Sequence, residues 1–271
     1  MKERAAPQTA TGGVGESTVE GPPNDSLSEQ YSLAKILGIW ATAALPMAAL
    51  AWVVAPLVAD RLEGPVALPR ALLGLLTVGL IWQFVVVMLL VYRERGSLSW
   101  SVLKDALWLH SPRSPTTGRV GGRLWLVIIP AALLLGAEGF IPTLPPVAGH
   151  DFSVFLESEA GREFFSGNWV FYAVEVVLVV FNTVLGEELL FRGLLLPRMQ
   201  GAFGRFDWVA NGVLFALYHL HMPWVIPETL LIDTFAMAYP SRRYRSALIG
   251  IIVHSTPSVV VLVLLLYLVL Q

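Results

Sequence analysis

The hydrophobic and polar positions of this chain are arranged in long blocks, a pattern that predicts membrane-spanning helices. Crossing the hydrocarbon core of a bilayer takes about 20 consecutive apolar residues in a helix. Only 14% of the residues are charged, whereas a soluble domain carries about 25%. Five apolar segments are candidate spans, the last of them slightly short: 36–59, 71–92, 168–190, 247–270 and 124–141.

The apolar region 208–239 is predicted to form two short helices instead of one long one. The sequence HMPW interrupts it, and proline removes a backbone hydrogen bond from a helix. We therefore place helices at 208–220 and 223–239, and we expect His221, at the break, to be structural and to point away from His219. The predicted fold is an all-α polytopic membrane protein of about seven transmembrane helices.

Residues 1–31 differ from the rest of the chain and are predicted to form a disordered cytoplasmic tail. They are rich in Gly, Pro, Ser and Thr, a composition that cannot bury an apolar core. They contain no apolar run, so they do not resemble a secretory signal peptide. Residues 32–271 are expected to form one helical membrane domain.

The distribution of Lys and Arg predicts a cytoplasmic N-terminus, because positive loops stay on the cytoplasmic side. With this orientation all but three of the 18 basic residues lie inside, and the three outside are Arg61, Arg70 and Arg162. The excess of Arg over Lys favours a prokaryotic plasma membrane. A net charge of −2 without a basic arm argues against a nucleic-acid partner, and the absence of cysteine excludes disulfides and thiolate-bound metals.

Ionisable side chains within the apolar segments are the candidate functional groups. Each costs about 2.5–3.5 kcal/mol at the bilayer centre on insertion scales, so it usually faces the protein interior and has a partner. They are concentrated in the last four helices, and we expect the active site there. The eight residues are Glu138, Glu175, Glu187, Glu188, His219, Glu228, Asp233 and His254.

The sequence GEELLFRG at 186–193 places two carboxylates and an arginine at the predicted end of the fourth span. Glu188 and Arg192 are four residues apart, so they share a helix face and are expected to form an ion pair. Glu187 lies about 100° around the helix from Glu188. It therefore needs another partner, which the later helices can supply.

The last helices each offer a polar face inside the apolar region. Asn211, Phe215 and His219 follow one another at intervals of four residues, which places them on one side of a helix. His254 and Ser258 have the same spacing in the last span. Three separate helices are therefore expected to bring polar groups to one interior site.

Three motifs in this order resemble the CAAX-protease and bacteriocin-processing family of intramembrane proteases, which includes the type II CAAX prenyl endopeptidase-like proteins. EELLFR resembles the family motif EExxxR, and FALYH resembles FxxxH. HSTPS resembles the third motif, a histidine usually followed four residues later by Asn or Asp. The gaps are 32 residues from Glu187 to His219 and 35 from His219 to His254. The resemblance covers about residues 120–270.

The resemblance implies hydrolysis of a peptide bond near or within the membrane, in a CAAX-type prenylated protein or another membrane-associated peptide. Ser258 stands where the family usually has Asn, and its side chain is shorter and has one donor instead of two. The implied catalytic residues are Glu187, His219, His254 and Ser258. The implied structural supports of the site are Glu188, Arg192, Asn211 and Phe215.

A metal-free mechanism is favoured, and a zinc site is the alternative. Glu187 would activate water as a general base, His219 would orient that water, and His254 with Ser258 would stabilise the oxyanion. We expect Glu187, His219 and His254 to converge in one cavity, from helices four, five and seven, that opens to the cytoplasm. The same three side chains are also a plausible zinc ligand set with a free fourth position for water.

Two other classes of function are kept as alternatives. A catalytically silent family member acting as a membrane scaffold is one, because Ser258 departs from the motif. The other is an ion-coupled transporter, which would also bury ionisable residues such as Glu175, Glu228 and Asp233. A transporter predicts inverted repeats, and the sequence contains no visible repeat.

Overall fold

The protein is helical throughout the part of the chain that the computed structural model describes, residues 29–64 and 66–271. It is 79% helical and has no strand among those residues. The all-α fold predicted from the apolar blocks is therefore confirmed. The predicted disordered tail, 1–31, lies almost entirely outside the described residues.

Five helices of the described chain are long and apolar enough to cross a membrane, and each coincides with one of the five predicted spans. The predicted count of seven is not confirmed, because the remaining two helices are shorter or less apolar. The five are α1 (Leu33–Ala59), α2 (Ala67–Arg95), α3 (Gly122–Phe140), α4 (Trp169–Arg198) and α7 (Ala247–Val269). The other two are α5 (Asp207–Tyr218) and α6, which begins at Ile226–Asp233 and ends at Tyr239–Tyr244.

The break predicted between α5 and α6 is present. Two short 3₁₀ turns, His219–His221 and Pro223–Val225, separate the helices. A 3₁₀ turn winds more tightly than an α-helix, with three residues per turn. The side chains after Tyr218 therefore point in directions that an α-helical projection does not give.

Helix α4 is longer and less regular than the sequence predicts. It does not end at residue 190 but continues to Arg198, and it contains two π-helical segments, Phe181–Gly186 and Leu189–Leu195. Every residue of the second segment is buried in protein. The two glutamates therefore lie in the protein interior between the π segments, away from the end of the helix.

One end of the helical bundle is basic, and we call it the basic end. The buried Arg198, at the end of α4, pairs with Glu94 at the end of α2 at 2.9 Å. Tyr31, just before α1, donates a hydrogen bond to the same carboxylate. The backbone N–H of Arg113 donates to the carbonyl of Tyr244 at 2.9 Å, so the 96–121 loop and the end of α6 also lie at this end.

The opposite end of the bundle carries residues 141–168, and we call it the acidic end. The indole of Trp52, near the end of α1, donates to the carbonyl of Leu220 at 2.9 Å and stacks on the ring of His150. The backbone N–H of Gly167 donates to the carbonyl of Val269 at the end of α7. The 3₁₀ turns after α5 therefore face this end.

Candidate active site

Glu187, His219 and His254 line one cavity, as the motif order predicts. The cavity has a volume of about 330 Å³ and lies among α2, α4, the 3₁₀ turns after α5, α6 and α7. Its apolar wall comes largely from α1 and α2, through residues such as Met47 and Leu80. The convergence expected from three separate motifs is therefore confirmed.

Asn182, five residues before Glu187, is a partner of the Glu187 carboxylate because the helix between them is π-helical. A π-helix has wider turns than an α-helix and is frequently found at functional sites. With its amide oriented to satisfy its hydrogen bonds, Asn182 donates to the two oxygens of Glu187 at 2.7 and 3.2 Å. Glu187 is only 3% exposed, so neutral amide hydrogens replace much of the water that its carboxylate has lost.

Tyr218 is a second partner of Glu187, and the sequence did not single it out. Its phenol is fully buried and hydrogen-bonds the Glu187 carboxylate. The same oxygen accepts a hydrogen bond from the amide of Gln83 on α2 at 2.7 Å. The phenol proton is thereby directed to Glu187, and the chain from Gln83 to Glu187 fixes the carboxylate in the cavity wall.

His219 is held by the carbonyl group of its own helix. Its Nδ1 lies 2.9 Å from the carbonyl oxygen of Phe215, and a carbonyl only accepts, so Nδ1 carries the proton. In a neutral imidazole the other nitrogen is then an acceptor. The Nε2 atom of His219 is therefore left to accept a hydrogen bond in the cavity.

His254, Glu188 and Arg192 form one buried ionic cluster. Arg192 Nη1 lies 3.1 Å from Glu188 Oε1, and neither side chain is exposed. The expected ion pair between these residues is present. The Nδ1 atom of His254 donates to the same carboxylate oxygen at 3.1 Å, so Glu188 also orients the imidazole. The Nε2 atom of His254 takes no part in this contact.

Phe215 and Asn211 support this cluster from α5. The guanidinium of Arg192 lies over the ring of Phe215 at 4.0 Å from its centre, a cation–π contact. The amide of Asn211 donates to the carbonyl of Phe191 at 2.8 Å. That carbonyl lies in a π segment of α4, so the side chain stabilises irregular backbone next to the two glutamates.

Ser258 is not among the residues of the described chain that line the cavity. The neighbouring hydroxyl on α7, that of Ser255, donates to Thr183 on α4 at 3.0 Å. The structure therefore brings together three of the four predicted catalytic side chains. A catalytic role for Ser258 stays a prediction.

His221 does not point away from His219, and that expectation is wrong. The 3₁₀ turn stacks the two imidazoles with their centres 5.5 Å apart, and His221 lines the cavity. The spacing of two residues suggested opposite faces only because a continuous α-helix was assumed. Glu138 and Asp233 also line the cavity, and the rarity of carboxylates in apolar helices had already made them candidates.

The cavity extends from Glu187 to the acidic end of the molecule. Half-buried residues there, including Asp151 and Glu228, belong to its lining. The sequence led us to expect a cytoplasmic basic end and also a cavity that opens to the cytoplasm. The cavity lining reaches the end of the molecule opposite the basic residues, and its opening to the cytoplasm stays a prediction.

The zinc alternative concerns the side chains of Glu187, His219 and His254. Among the described residues, no three His, Asp or Glu side chains come close enough together to hold a metal ion. The Nδ1 atoms of His219 and His254 are bonded to Phe215 and Glu188, so only Nε2 of each could bind a metal. Metal-bound histidines commonly have this arrangement, so the choice between a metal-free and a zinc-dependent site stays a prediction.

Replacing Gly250 by Ala should disrupt the ionic cluster. A methyl group on this α7 residue would collide with Oε2 of Glu188, and overpacking of this kind costs about 1–3 kcal/mol. We expect a lower melting temperature and loss of the peptide cleavage that the motifs predict, because Glu188 must leave His254. Gly38→Ala is the matched control, since a methyl there meets no atom within 4 Å. Normal cleavage by Gly250→Ala would contradict the positioning role of Glu188.

Comparison with known proteins agrees with the motifs. A family model described as type II CAAX prenyl endopeptidase Rce1-like matches residues 169–260. The matched segment contains α4, α5, α6 and the first part of α7, which are the helices that position Glu187, His219 and His254. No curated protein and no solved structure matches the chain.

Proposed function

We propose, on the premise that residues 169–260 are a type II CAAX prenyl endopeptidase Rce1-like domain, that this protein is an intramembrane endopeptidase. Its substrate would be a membrane-associated peptide, of the CAAX type or another. The observation that carries the proposal is the pairing of a buried Glu187, held by Asn182 and Tyr218, with a free Nε2 on His219 in one cavity. These are the groups that hydrolysis by an activated water requires.

Glu187 acts first as a general base in the proposed reaction. It takes a proton from a water molecule that donates its second hydrogen to Nε2 of His219. The water oxygen attacks the peptide carbonyl, and the C–O bond forms as the carbonyl becomes an oxyanion. Glu187 then returns its proton to the leaving amine as the C–N bond breaks, which leaves the enzyme unchanged.

His254 stabilises the oxyanion in this mechanism. Its Nδ1–H is committed to Glu188, so a protonated ring presents Nε2–H to the developing negative charge, and the Glu188 carboxylate balances the charge of the ring. A donor placed in advance at an oxyanion is worth about 10²–10³ in rate. Ser258 is proposed as a second donor, at one turn from His254.

Ser258→Ala tests this second donor. If Ser258 donates only in the transition state, its loss should lower kcat with little change in KM. We expect a decrease of about tenfold to 100-fold, because serine is short and water can replace it. Ser258→Asn should keep or increase kcat by restoring the donor that the family usually has. An unchanged kcat in Ser258→Ala would limit oxyanion stabilisation to His254.

A metal-free reaction is proposed over a zinc-dependent one. Elemental analysis of the purified active protein should give far less than one zinc per chain, and cleavage should survive a strong chelator. The observation that supports this is that no group of three His, Asp or Glu side chains among the described residues could hold a metal ion. Stoichiometric zinc that is lost together with activity, and restores activity when added back, would contradict it.

A catalytically silent membrane scaffold is the first alternative to this proposal, and an ion-coupled transporter is the second. Comparing the termini of membrane proteins by mass spectrometry, in cells with the wild type and with Glu187→Ala, tests it. An endopeptidase predicts a set of termini that disappears with Glu187. Identical termini in the two strains would favour the scaffold.

A further inference from the structure

A second cavity lies at the basic end of the molecule, and the proposed reaction does not use it. We call it the basic-end cavity. Its volume is about 390 Å³, which is within the range of about 300–1,000 Å³ for sites that bind small ligands. Among the described residues, its charged lining consists of four arginines and two aspartates, namely Arg95, Arg113, Arg242, Arg245, Asp105 and Asp207.

Two of these arginines have contacts that leave donors for a ligand. Arg95, at the end of α2, lies 3.4 Å from Asp105, whose side chain is 63% exposed. An exposed ion pair of this kind contributes little to stability, so Arg95 can turn to another anion. Arg242 pairs with the buried Asp207 through its Nε atom, and a guanidinium carries further N–H donors on its two terminal nitrogens. The lining therefore presents arginine donors together with an excess of positive charge.

Two residues of the lining hold a backbone conformation that side chains rarely adopt. Trp108 has a φ of 50° and Arg245 a φ of 47°, and no other residue except glycine has a positive φ in the described part of the chain. Both line the basic-end cavity. Strained residues of this kind are found mainly at functional sites. Their meeting in one cavity is a second indication of a binding site, and it does not depend on charge.

Hydrogen bonds hold these strained segments together. The backbone N–H of Ala247 donates to the carbonyl of Trp108 at 3.0 Å, and the hydroxyl of Ser246 donates to the carbonyl of His110 at 2.6 Å. The bond between Arg113 and Tyr244, described above, joins the same two segments. The 96–121 loop is thereby fixed to the junction of α6 and α7, and a cavity whose walls are fixed in advance binds a ligand at a lower entropic cost.

The basic-end cavity is expected to lie at the level of the lipid headgroups. Trp100, in the same loop, is 68% exposed, and exposed tryptophans are typical of the membrane–water interface. The excess of arginine predicts that this end faces the cytoplasm, where the membrane surface carries anionic lipids. Basic pockets between transmembrane helices on that side are known to bind phosphorylated headgroups.

We propose that the basic-end cavity binds a phosphate group, carried by an anionic lipid headgroup or by a soluble phosphate. The phosphate oxygens accept hydrogen bonds from Arg95 and Arg242, because the planar fork of a guanidinium matches their spacing. Arg113 and Arg245 add positive charge around the same position. The site is separate from the cavity of Glu187, so this inference does not depend on the proposed endopeptidase function.

Thermal denaturation of the full-length protein in phosphatidylcholine nanodiscs tests the site, since a ligand that binds only the folded state raises the melting temperature. In the first arm, inorganic phosphate is compared with sodium chloride at equal ionic strength. In the second arm, the nanodiscs contain an increasing share of phosphatidylglycerol, and no phosphate is added. We expect a rise of about 2–4 °C in at least one arm. A rise in the second arm alone identifies a lipid headgroup as the source, and a rise in the first identifies a soluble phosphate.

Arg95→Gln and Arg242→Lys should each weaken this response. Arg95→Gln removes one guanidinium, whereas Arg242→Lys keeps a positive charge beside Asp207 but lacks the forked donors. The phosphate concentration or phosphatidylglycerol share that gives half of the rise should increase by at least about tenfold, the effect of losing one charge-assisted hydrogen bond. Arg93→Gln is the matched control. Arg93 is exposed on the same helix as Arg95 and carries the same charge, but it does not line the cavity, so the variant should respond like the wild type.

Two results would overturn the inference. The first is a melting temperature of the wild type that rises in neither arm. The second is a rise that Arg95→Gln and Arg242→Lys keep, or that Arg93→Gln loses to the same extent, because the anion would then respond to the total charge of the basic end and not to a site. None of these measurements involves peptide cleavage, so their failure leaves the proposed function untouched.

Discussion

Glu187→Gln is expected to lower the rate of peptide cleavage by about 10²–10⁴, the usual contribution of a general base. The substitution keeps the size of the side chain and one acceptor oxygen for Asn182 or Tyr218, but an amide cannot take a proton from water. Binding of substrate should therefore change little, and the loss should appear in kcat. Single-turnover cleavage of a reporter peptide by the purified protein measures it.

The matched control for this variant is Glu175→Gln on the same helix. Glu175 is also buried at 3% exposure, but it is not among the cavity-lining residues. We expect near-normal cleavage from it. Equal losses in Glu175→Gln and Glu187→Gln would mean that removing any buried carboxylate from α4 disables the protein, and Glu187 would have no special role.

Arg192→Ala is expected to destabilise the protein by about 3–5 kcal/mol, the range for removing one partner from a buried ion pair. Glu188 would be left as a buried carboxylate with only His254 beside it, and Phe215 would lose the guanidinium packed on its ring. Thermal denaturation in nanodiscs should show a large decrease in melting temperature. Cleavage should also be lost at temperatures where the variant is still folded, because Glu188 no longer holds His254 in one orientation.

Arg93→Ala is the control for loss of an arginine. Arg93 is exposed near the end of α2, and surface substitutions usually change stability by less than about 0.5 kcal/mol. Its melting temperature and activity should match the wild type. An Arg192→Ala protein as stable and as active as Arg93→Ala would contradict the supporting role of the buried pair.

The spans and the three motifs were predictable because they depend on local sequence. A helix of about 20 apolar residues is required by the thickness of the bilayer, so the apolar blocks place five helices directly. Glu188 and Arg192 meet because they are four residues apart, and the structure keeps that contact. Carboxylates and imidazoles inside apolar segments identified Glu187, His219 and His254 through the cost of burying them.

The contacts that orient the side chains of the candidate site were not predictable from the sequence, because they depend on irregular helices. An α-helical projection does not pair Asn182 with Glu187, and the π segment between them does. The same projection directs His221 away from His219, whereas the 3₁₀ turn stacks the two rings. The proline of HMPW indicates a break but not its 3₁₀ geometry, and no pattern along the chain indicates the π segments of α4.

The contribution of uncharged residues to the site was also not predictable from the sequence. Tyr218 and Gln83 lie in different helices and have no spacing that relates them, yet together they hold the Glu187 carboxylate. The meeting of Glu138 with Asp233, which are hydrogen-bonded to each other, likewise depends on how α3 packs beside α6. The sequence showed which side chains need a partner, and the packing of the helices decides which partner each one has.

Reconstituted cleavage tests the central claim most directly. The purified full-length protein, in lipid nanodiscs, is incubated with a library of membrane-anchored peptides, and the products are identified by mass spectrometry for the wild type, Glu187→Gln and Glu175→Gln. The account predicts internal cleavage of a subset of peptides by the wild type and by Glu175→Gln, at a rate at least about 10² higher than by Glu187→Gln. Cleavage by Glu187→Gln at the wild-type rate, or no cleavage by a folded wild-type protein, would contradict it.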